Sequence, residues 1–424
     1  MIITDKAMRL LNYIGKILMI MILISLSYIT EAYSQVGSLN ILVSSDSSKN
    51  TNSYSVVFPR TGMGTGQTYS ADDWTYENVR IPAYIVLSGN QSLYAARFDL
   101  IYDPSKINIQ VEKGDLFNES LLETEKTGLS DILVHVSSLT GNVMPSAGKS
   151  LVKIYISVIK PGYSQIQISN PDLRFYDQIN DIQLSIPATA FAGAVKFYLG
   201  DFATSRTEQW TGDGNVNYQD AAVFGQHYGA MTGSALYCKK YDIYPTQNSL
   251  DYYSMPEGDG VIDFYDMILF AIGYNYEANG NLLIKAGKGN QMKKIDFILK
   301  DITVSGGNKI AIPVYAEGDV RDLKGYSLKI LFNDIDFESI EFENRNGISN
   351  ENIFSHIQSD DKSLTLDVAV LGASYSINTS GKLGEILIKC KGKINKCEFA
   401  IISAIAMDSS LGSFLTNIRN NKNE

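Results

Sequence analysis

One all-β pattern written twice limits what this chain can fold into more than any other feature. From Ile41 to about Phe197, short β-branched and aromatic runs alternate apolar with polar. Examples are Arg80-Ile81-Pro82-Ala83-Tyr84-Ile85-Val86-Leu87, Ala96-Arg97-Phe98-Asp99-Leu100-Ile101-Tyr102 and Leu151-Val152-Lys153-Ile154-Tyr155-Ile156-Ser157-Val158. Period-two runs broken by Gly, Asn, Asp and Pro describe antiparallel strands, and many of them without helical periodicity between describe a β-sandwich. The pattern returns after residue 290. Ile81-Pro82 recurs as Ile312-Pro313, Leu100-Ile101-Tyr102-Asp103 as Ile330-Leu331-Phe332-Asn333, Gly148-Lys149 as Gly381-Lys382 and Tyr176-Asp177 as Met407-Asp408, at offsets of 230 to 233 residues. A constant offset means one module present twice. With 424 residues, 45% of them apolar, each copy has enough chain to bury its own core. The expected division is 1–34 leader, 35–198 first sandwich, 199–280 a separate small module, 281–293 linker, 294–417 second sandwich and 418–424 polar tail. A Ser-, Thr- and Gly-rich insertion from about Ser45 to Asn78 interrupts the first copy and carries Trp74 and Tyr76.

Leu93-Tyr94-Ala95-Ala96-Arg97-Phe98-Asp99-Leu100-Ile101-Tyr102-Asp103-Pro104-Ser105-Lys106 and Glu112-Lys113-Gly114-Asp115-Leu116-Phe117, together with the Ile81-Pro82 strand, resemble a cohesin module of cellulosome-type scaffolding proteins. The likeness covers most of 38–197. It is looser over 294–417, where Asn333-Asp334-Ile335-Asp336 lacks the Asp-Pro-Ser pattern. The resemblance implies nine-stranded jelly-roll sandwiches related to carbohydrate-binding modules. That relation leaves protein binding and glycan binding both open.

Residues 200 to 275 change character. Gly212-Asp213-Gly214-Asn215-Val216-Asn217-Tyr218-Gln219-Asp220 recurs 46 residues later as Gly258-Asp259-Gly260-Val261-Ile262-Asp263-Phe264-Tyr265-Asp266. Each is followed by a short apolar helix-like run, Ala221 to Tyr228 and Met267 to Tyr274. Calcium takes six to eight hard oxygens on a sharply turning loop, which needs spaced carboxylates, Gly in the bend and a closing acid as a helix begins. Asp213 and Asp259 fit loop position five, Asn215 and Val261 give a backbone carbonyl at seven, Asn217 and Asp263 fit nine, and Asp220 and Asp266 close at twelve. An unbroken loop would begin at Gln209 or Met255, which are not anionic ligands. Position one is therefore placed earlier, at Asp201 and Asp242, with an insertion between; Thr211 and Glu257 are candidates for position three. The expected cofactor is two calcium ions. The segment resembles a dockerin, the duplicated calcium module that docks onto cohesins, and departs from it by the insertions at 202–211 and 243–256. Its Tyr218-Gln219 and Phe264-Tyr265 stand where dockerins carry partner-choosing residues. The alternative is that these aromatics pack within the chain, making the module a calcium-stiffened joint.

Other chemistries find little support. The net charge of −10 opposes nucleic-acid binding. His135, His227 and His356 are scattered, without zinc spacing, and neither a nucleophile elbow nor a phosphate loop appears. Acid pairs such as Asp360-Asp361 and Glu341/Glu343 read as solvated surface, and His227 as a partly exposed surface residue. Lys6, Arg9 and Lys16 precede an apolar run from Ile17 to Ile29 and then Ala32-Tyr33-Ser34, the pattern of an export signal cleaved near Gln35. No later run approaches membrane length. Outside the cytoplasm, a Cys390–Cys397 disulfide is permitted but not required, and Cys238 would stay unpaired.

The expected fold is mainly β: two jelly-roll β-sandwiches of cohesin or carbohydrate-binding-module type with a small α-helical, EF-hand-like dockerin module between them. The expected function is a secreted, non-catalytic scaffold or adaptor, docking in a calcium-dependent manner to partners that carry dockerin or cohesin modules, in extracellular polysaccharide degradation. Alternatives are a carbohydrate-binding protein using Trp74 and Tyr76, or a structural cell-surface adhesin.

Overall fold

The computed structural model describes residue 19 and residues 38–44, 54–58, 80–203, 213–247, 254–275, 293–333, 335–394 and 397–420. The chain is mainly β. In the N-terminal half, one sheet sets Ala188–Phe191, Leu39–Ser44, Arg80–Gly89, Val152–Val158 and Ile107–Lys113 side by side. The facing sheet runs Tyr54–Phe58, Gly193–Phe197, Gly162–Asp177, Ala95–Ile101, Asp131–Ser138, Ser120–Lys126, with Ile182–Ile186 added on Gly162–Asp177. Alternate residues of the two sheets meet in one core, Ile41, Ile85 and Ile154 from the first and Phe98, Val134 and Ile168 from the second.

The C-terminal half repeats this order, among the described residues without counterparts to Tyr54–Phe58, Gly193–Phe197 and Ile182–Ile186. Leu415–Asn420, Lys294–Leu299, Lys309–Gly318, Gly381–Cys390 and Phe337–Asn344 form one sheet, with Thr303–Ser305 added on Lys309–Gly318. Phe399–Asp408, Leu323–Phe332, Ser363–Val370 and Ile353–Ser359 form the other. Leu39–Ser44 pairs in parallel with Ala188–Phe191, and Lys294–Leu299 with Leu415–Asn420. The proline-bearing strands correspond as well, Pro82 lying opposite Tyr155 and Pro313 opposite Glu385. A separate core of Phe297, Ile312, Leu328, Leu366 and Ile386 fills this second sandwich.

Two helices lie between the sandwiches in sequence, α1 (Tyr218–His227) and α2 (Phe264–Gly273). Each starts three residues before the apolar run suggests, and the cause is capping. The side chains of Asn217 and Asp263 accept from Gln219 N and Tyr265 N, while Asp220 and Asp266 accept from the N-cap backbone N–H, completing a capping box at the N-terminus of each helix. Among the described residues no helix is long and apolar enough to cross a membrane. Cys390 and Cys397 are not joined, so the permitted bridge is not formed in this structure, and Cys238 is in no disulfide.

Candidate metal loops and docking face

The two loops ahead of the helices carry the same hydrogen-bond pattern atom for atom. In the first, Asp213 N and Gly214 N donate to the two oxygens of Asp201 at 2.9 and 2.8 Å. Phe202 N and Ala203 N donate to Asp220 Oδ1 at 2.6 and 2.9 Å, and Asn217 N donates to Oδ2 at 2.8 Å. In the second, Asp259 N and Gly260 N donate to Asp242 at 3.1 and 2.8 Å. Ile243 N and Tyr244 N donate to Asp266 Oδ1 at 2.6 and 2.8 Å, and Asp263 N donates to Oδ2 at 2.8 Å. Asp213 Oδ1 and Asp259 Oδ1 accept from the amides two residues on, Asn215 N and Val261 N. Gly214 and Gly260 take φ of 85° and 92°, which a side chain would strain. Asp201 and Asp242 therefore lie against the Asp-Gly turns despite being 12 and 17 residues away in sequence.

These carboxyls are in an unusual place for anions. Asp201, Asp220, Asp242 and Asp266 are each no more than 1% exposed. Burial pushes Asp220 up to about 7 and Asp263 up to about 6. Burial also holds Asp201 and Asp266 well above the usual carboxylate range, with the charge of Asp220 adding to the effect at Asp201. Asp242 is raised by burial too, and Tyr237 Oη donates to its Oδ2 at 2.7 Å. Asn215, Glu257 and Asp259 are exposed, while Asp213, Asn217, Val261 and Asp263 are half-buried at the loop mouths. Among the described residues no three His, Cys, Asp or Glu side chains converge as a metal-binding group. The donor set still suits a hard cation. Most of the aspartate oxygens accept a single N–H and keep a lone pair, and acids crowded together out of water are relieved by a divalent charge.

The helices seat on the second sandwich. Phe202, Phe224 and Phe270 stack with centroids 5.2 to 6.0 Å apart, and their core, continuous with that of the first sandwich, extends to Ala369, Leu371, Met407 and Leu411 on the outer face of the second sandwich. Tyr228 Oη donates to Asp367 Oδ2 at 2.8 Å, and its ring lies 4.7 Å from that of His356. The Phe224 ring lies 6.0 Å from Phe354, and Gly372 N donates to Ala271 O at 2.8 Å. A Cβ placed at Gly325 would come within 2.2 Å of Ile268 Cδ1, so only glycine lets α2 approach that closely. Lys324, buried beside this contact, donates from Nζ to Gly372 O and Tyr375 O; burial lowers it to about 7. Neither Lys324 nor the Asp367 contact was anticipated from sequence.

The first sandwich has the same face, and among the described residues no helix lies on it. Strand register makes the match residue by residue. Gly325, flanked by Ala369 and Met407, corresponds to Ala95, flanked by Ser137 and Arg174. Ser327, flanked by Asp367 and Ile405, corresponds to Arg97, flanked by His135 and Asp172. Phe354 and His356 correspond to Leu121 and Glu123. Here the surface holds an open cavity of about 450 Å³ lined by Ala95, Arg97, Leu121, Glu123, His135 and Arg174 among others, and Leu121 is 50% exposed.

Trp74, Tyr76, Trp210 and Thr211, and the leader to Ser34 apart from Met19, lie outside the described residues. Tyr218 is 53% exposed, and Tyr265 stacks on Tyr244 at 5.2 Å. His227 is half-buried, its ring stacked 4.2 Å from Tyr241. Glu341, Asp360 and Asp361 are exposed and Glu343 is half-buried.

No family model matches the chain, and no curated protein matches it. Solved structures that resemble it are cohesins. A non-cellulosomal cohesin from the archaeon Archaeoglobus fulgidus is 12% identical, covering 37% of this chain and 89% of its own, with a TM-score of 0.26. The type II cohesin dyad from the adaptor ScaA scaffoldin of Acetivibrio cellulolyticus is 9% identical, covering 90% of this chain and 97% of its own, with a TM-score of 0.25. A type I cohesin–dockerin complex from Clostridium thermocellum, Coh-OlpC-Doc435, gives 13%, 31%, 94% and 0.26 in the same order. At these identities and TM-scores the likeness carries no argument about what this chain does.

Proposed function

We propose that this chain is an exported, non-catalytic docking scaffold in which the sheet face of each sandwich is a seat for a helix pair organised by two calcium loops. The observation that carries the reading is the seating of α1 and α2 on Gly325, Ala369 and Asp367, with the matching face of the first sandwich open and concave. A sheet face that holds a helix pair in one copy is the natural acceptor for a helix-bearing protein in the other. Calcium would be held by Asp201, Asp213 and Asp220 in one loop and by Asp242, Asp259 and Asp266 in the other, with the carbonyls at Asn215 and Val261. Bound there, the ion neutralises the buried carboxylates and fixes each loop against its helix. Partners are proteins with dockerin-like helix pairs, and extracellular polysaccharide breakdown is the setting in which such a scaffold works.

The test is affinity capture by the full chain from culture fluid of the source organism, with calcium or with EGTA. The expected result is a partner held only in calcium and lost from a Leu121→Asp variant that keeps its β-sheet circular dichroism. Equal capture by that variant would contradict the reading.

A further inference from the structure

The contact between the α1–α2 pair and the second sandwich has the form of a surface between two finished bodies, not of a shared core. The second sandwich closes its own core around Phe297, Leu328, Leu366 and Ile386, while Ala369, Leu371, Met407 and Leu411 on its outside belong to the apolar cluster that the helices share with the first sandwich. The first sandwich supplies a control within the same molecule. Its strands Ala95–Ile101 and Asp131–Ser138 keep the same neighbours with an outer face of half-buried and exposed residues that no described helix covers, so the sandwich forms without helices there.

The two faces are also not interchangeable. Where the second presents Met407, Ile405, Ser327 and Asp367, the first presents Arg174, Asp172, Arg97 and His135. Ile268 packs on glycine at Gly325 and would meet Ala95 on the first sandwich. Tyr228 donates to a carboxylate at Asp367 and would meet the imidazole of His135 beside the Arg97 guanidinium. Removing Met407 and Ala369 from water favours the second face, whereas covering the Arg174–Asp172 ion pair, 2.7 Å long, brings a desolvation cost the helices do not repay.

We infer that the α1–α2 pair is docked within its own chain as a separable plug, which occupies the second sandwich's face and leaves the first sandwich as the face open to other proteins. The inference rests on the docking reading above and names its regulation: one of two acceptor faces is closed from within. A surface of this kind can form equally between two chains when it is prevented within one.

Complementation between full-length variants tests it. Ala369→Arg blocks the face and frees the helices; Ile268→Arg spoils the helix surface and frees the face. In calcium, each variant alone should sediment as a monomer, and an equimolar mixture should sediment at twice the monomer mass. A mixture that remains monomeric, with both variants retaining their β-sheet spectrum, overturns the inference. If either variant loses that spectrum, Gly325→Trp and Tyr228→Arg form the second pair with the same criterion. Self-association of the Ala369→Arg variant alone would show its helices taking a first sandwich, and would overturn the claim of selectivity. Heterodimer formation without any Leu121-dependent capture leaves the plug standing and rejects the scaffold reading instead. Capture without heterodimers does the reverse.

Discussion

Tyr228 at the end of α1 donates its phenolic hydrogen to Asp367 in the middle of a second-sandwich strand, 139 residues away in sequence and 2.8 Å in space. Burial raises the proton affinity of both groups, so the bond ties a neutral donor to an acceptor with little water to replace it. Tyr228→Phe should lower stability by about 1 kcal/mol, the usual net worth of one hydrogen bond, since Ser327 still donates to Asp367. Tyr228→Phe combined with Asp367→Ala should lose less than the two single changes summed, because the residues share one interaction. Urea unfolding of the four proteins measures the coupling; strict additivity would mean the bond contributes nothing.

Acidity should act on the metal-free loops in a definite direction. Asp220 and Asp263 titrate near 7 and 6 when folded, against an ordinary 3.8. A folded state that holds more protons than the unfolded one has stability fully present below the unfolded value and lost as pH rises through the folded one. With EGTA, the helical module should therefore melt higher at about pH 4.5 than at about pH 7.5. Saturating calcium should cancel or reverse the trend, since the metal and the proton compete for the same oxygens. Thermal scans at both pH values with and without chelator make the comparison, and identical pH trends in the two conditions would contradict it.

Gly325→Ala places a methyl 2.2 Å from Ile268 Cδ1 and 2.6 Å from Val368 O. One of those atoms is a side-chain tip and the other is backbone. The change should destabilise by about 1–3 kcal/mol, as overpacking does. Adding Ile268→Ala should recover only part of the loss, because the carbonyl stays. Full recovery in the double variant, measured by denaturant unfolding, would show the backbone contact to be slack.

Much of this architecture is legible in the residues. The constant offset between Ile81-Pro82 and Ile312-Pro313 marks two equivalent strands, and the repeated Gly-Asp-Gly with a closing acid marks two loops of identical hydrogen bonding. Packing of the helical module within the chain is legible only as an alternative, at Tyr218, Phe264 and Tyr265, although a stronger signal for the seat on the second sandwich exists. Asp131–Ser138 alternates buried and half-buried residues, whereas Ser363–Val370 is buried at seven of its eight positions. An antiparallel strand apolar on both faces is covered on both, so the run Val368-Ala369-Val370-Leu371 indicates a partner on the outer face. What the run does not encode is the identity of that cover, which depends on α2 fitting against the missing side chain of Gly325.

Calcium binding itself is the most direct measurement. Isothermal titration of the chelated full-length chain should give two ions per chain, one in Asp220→Ala, one in Asp266→Ala and none in the double variant. Free calcium at about a hundred times Kd should then stabilise the helical module by roughly 2.7 kcal/mol in calorimetry, leaving the sandwich transitions in place. The paired change Asp213→Ala with Asp259→Ala should abolish that shift. A titration showing no stoichiometric calcium, on protein verified metal-free and folded, would contradict the account at its centre.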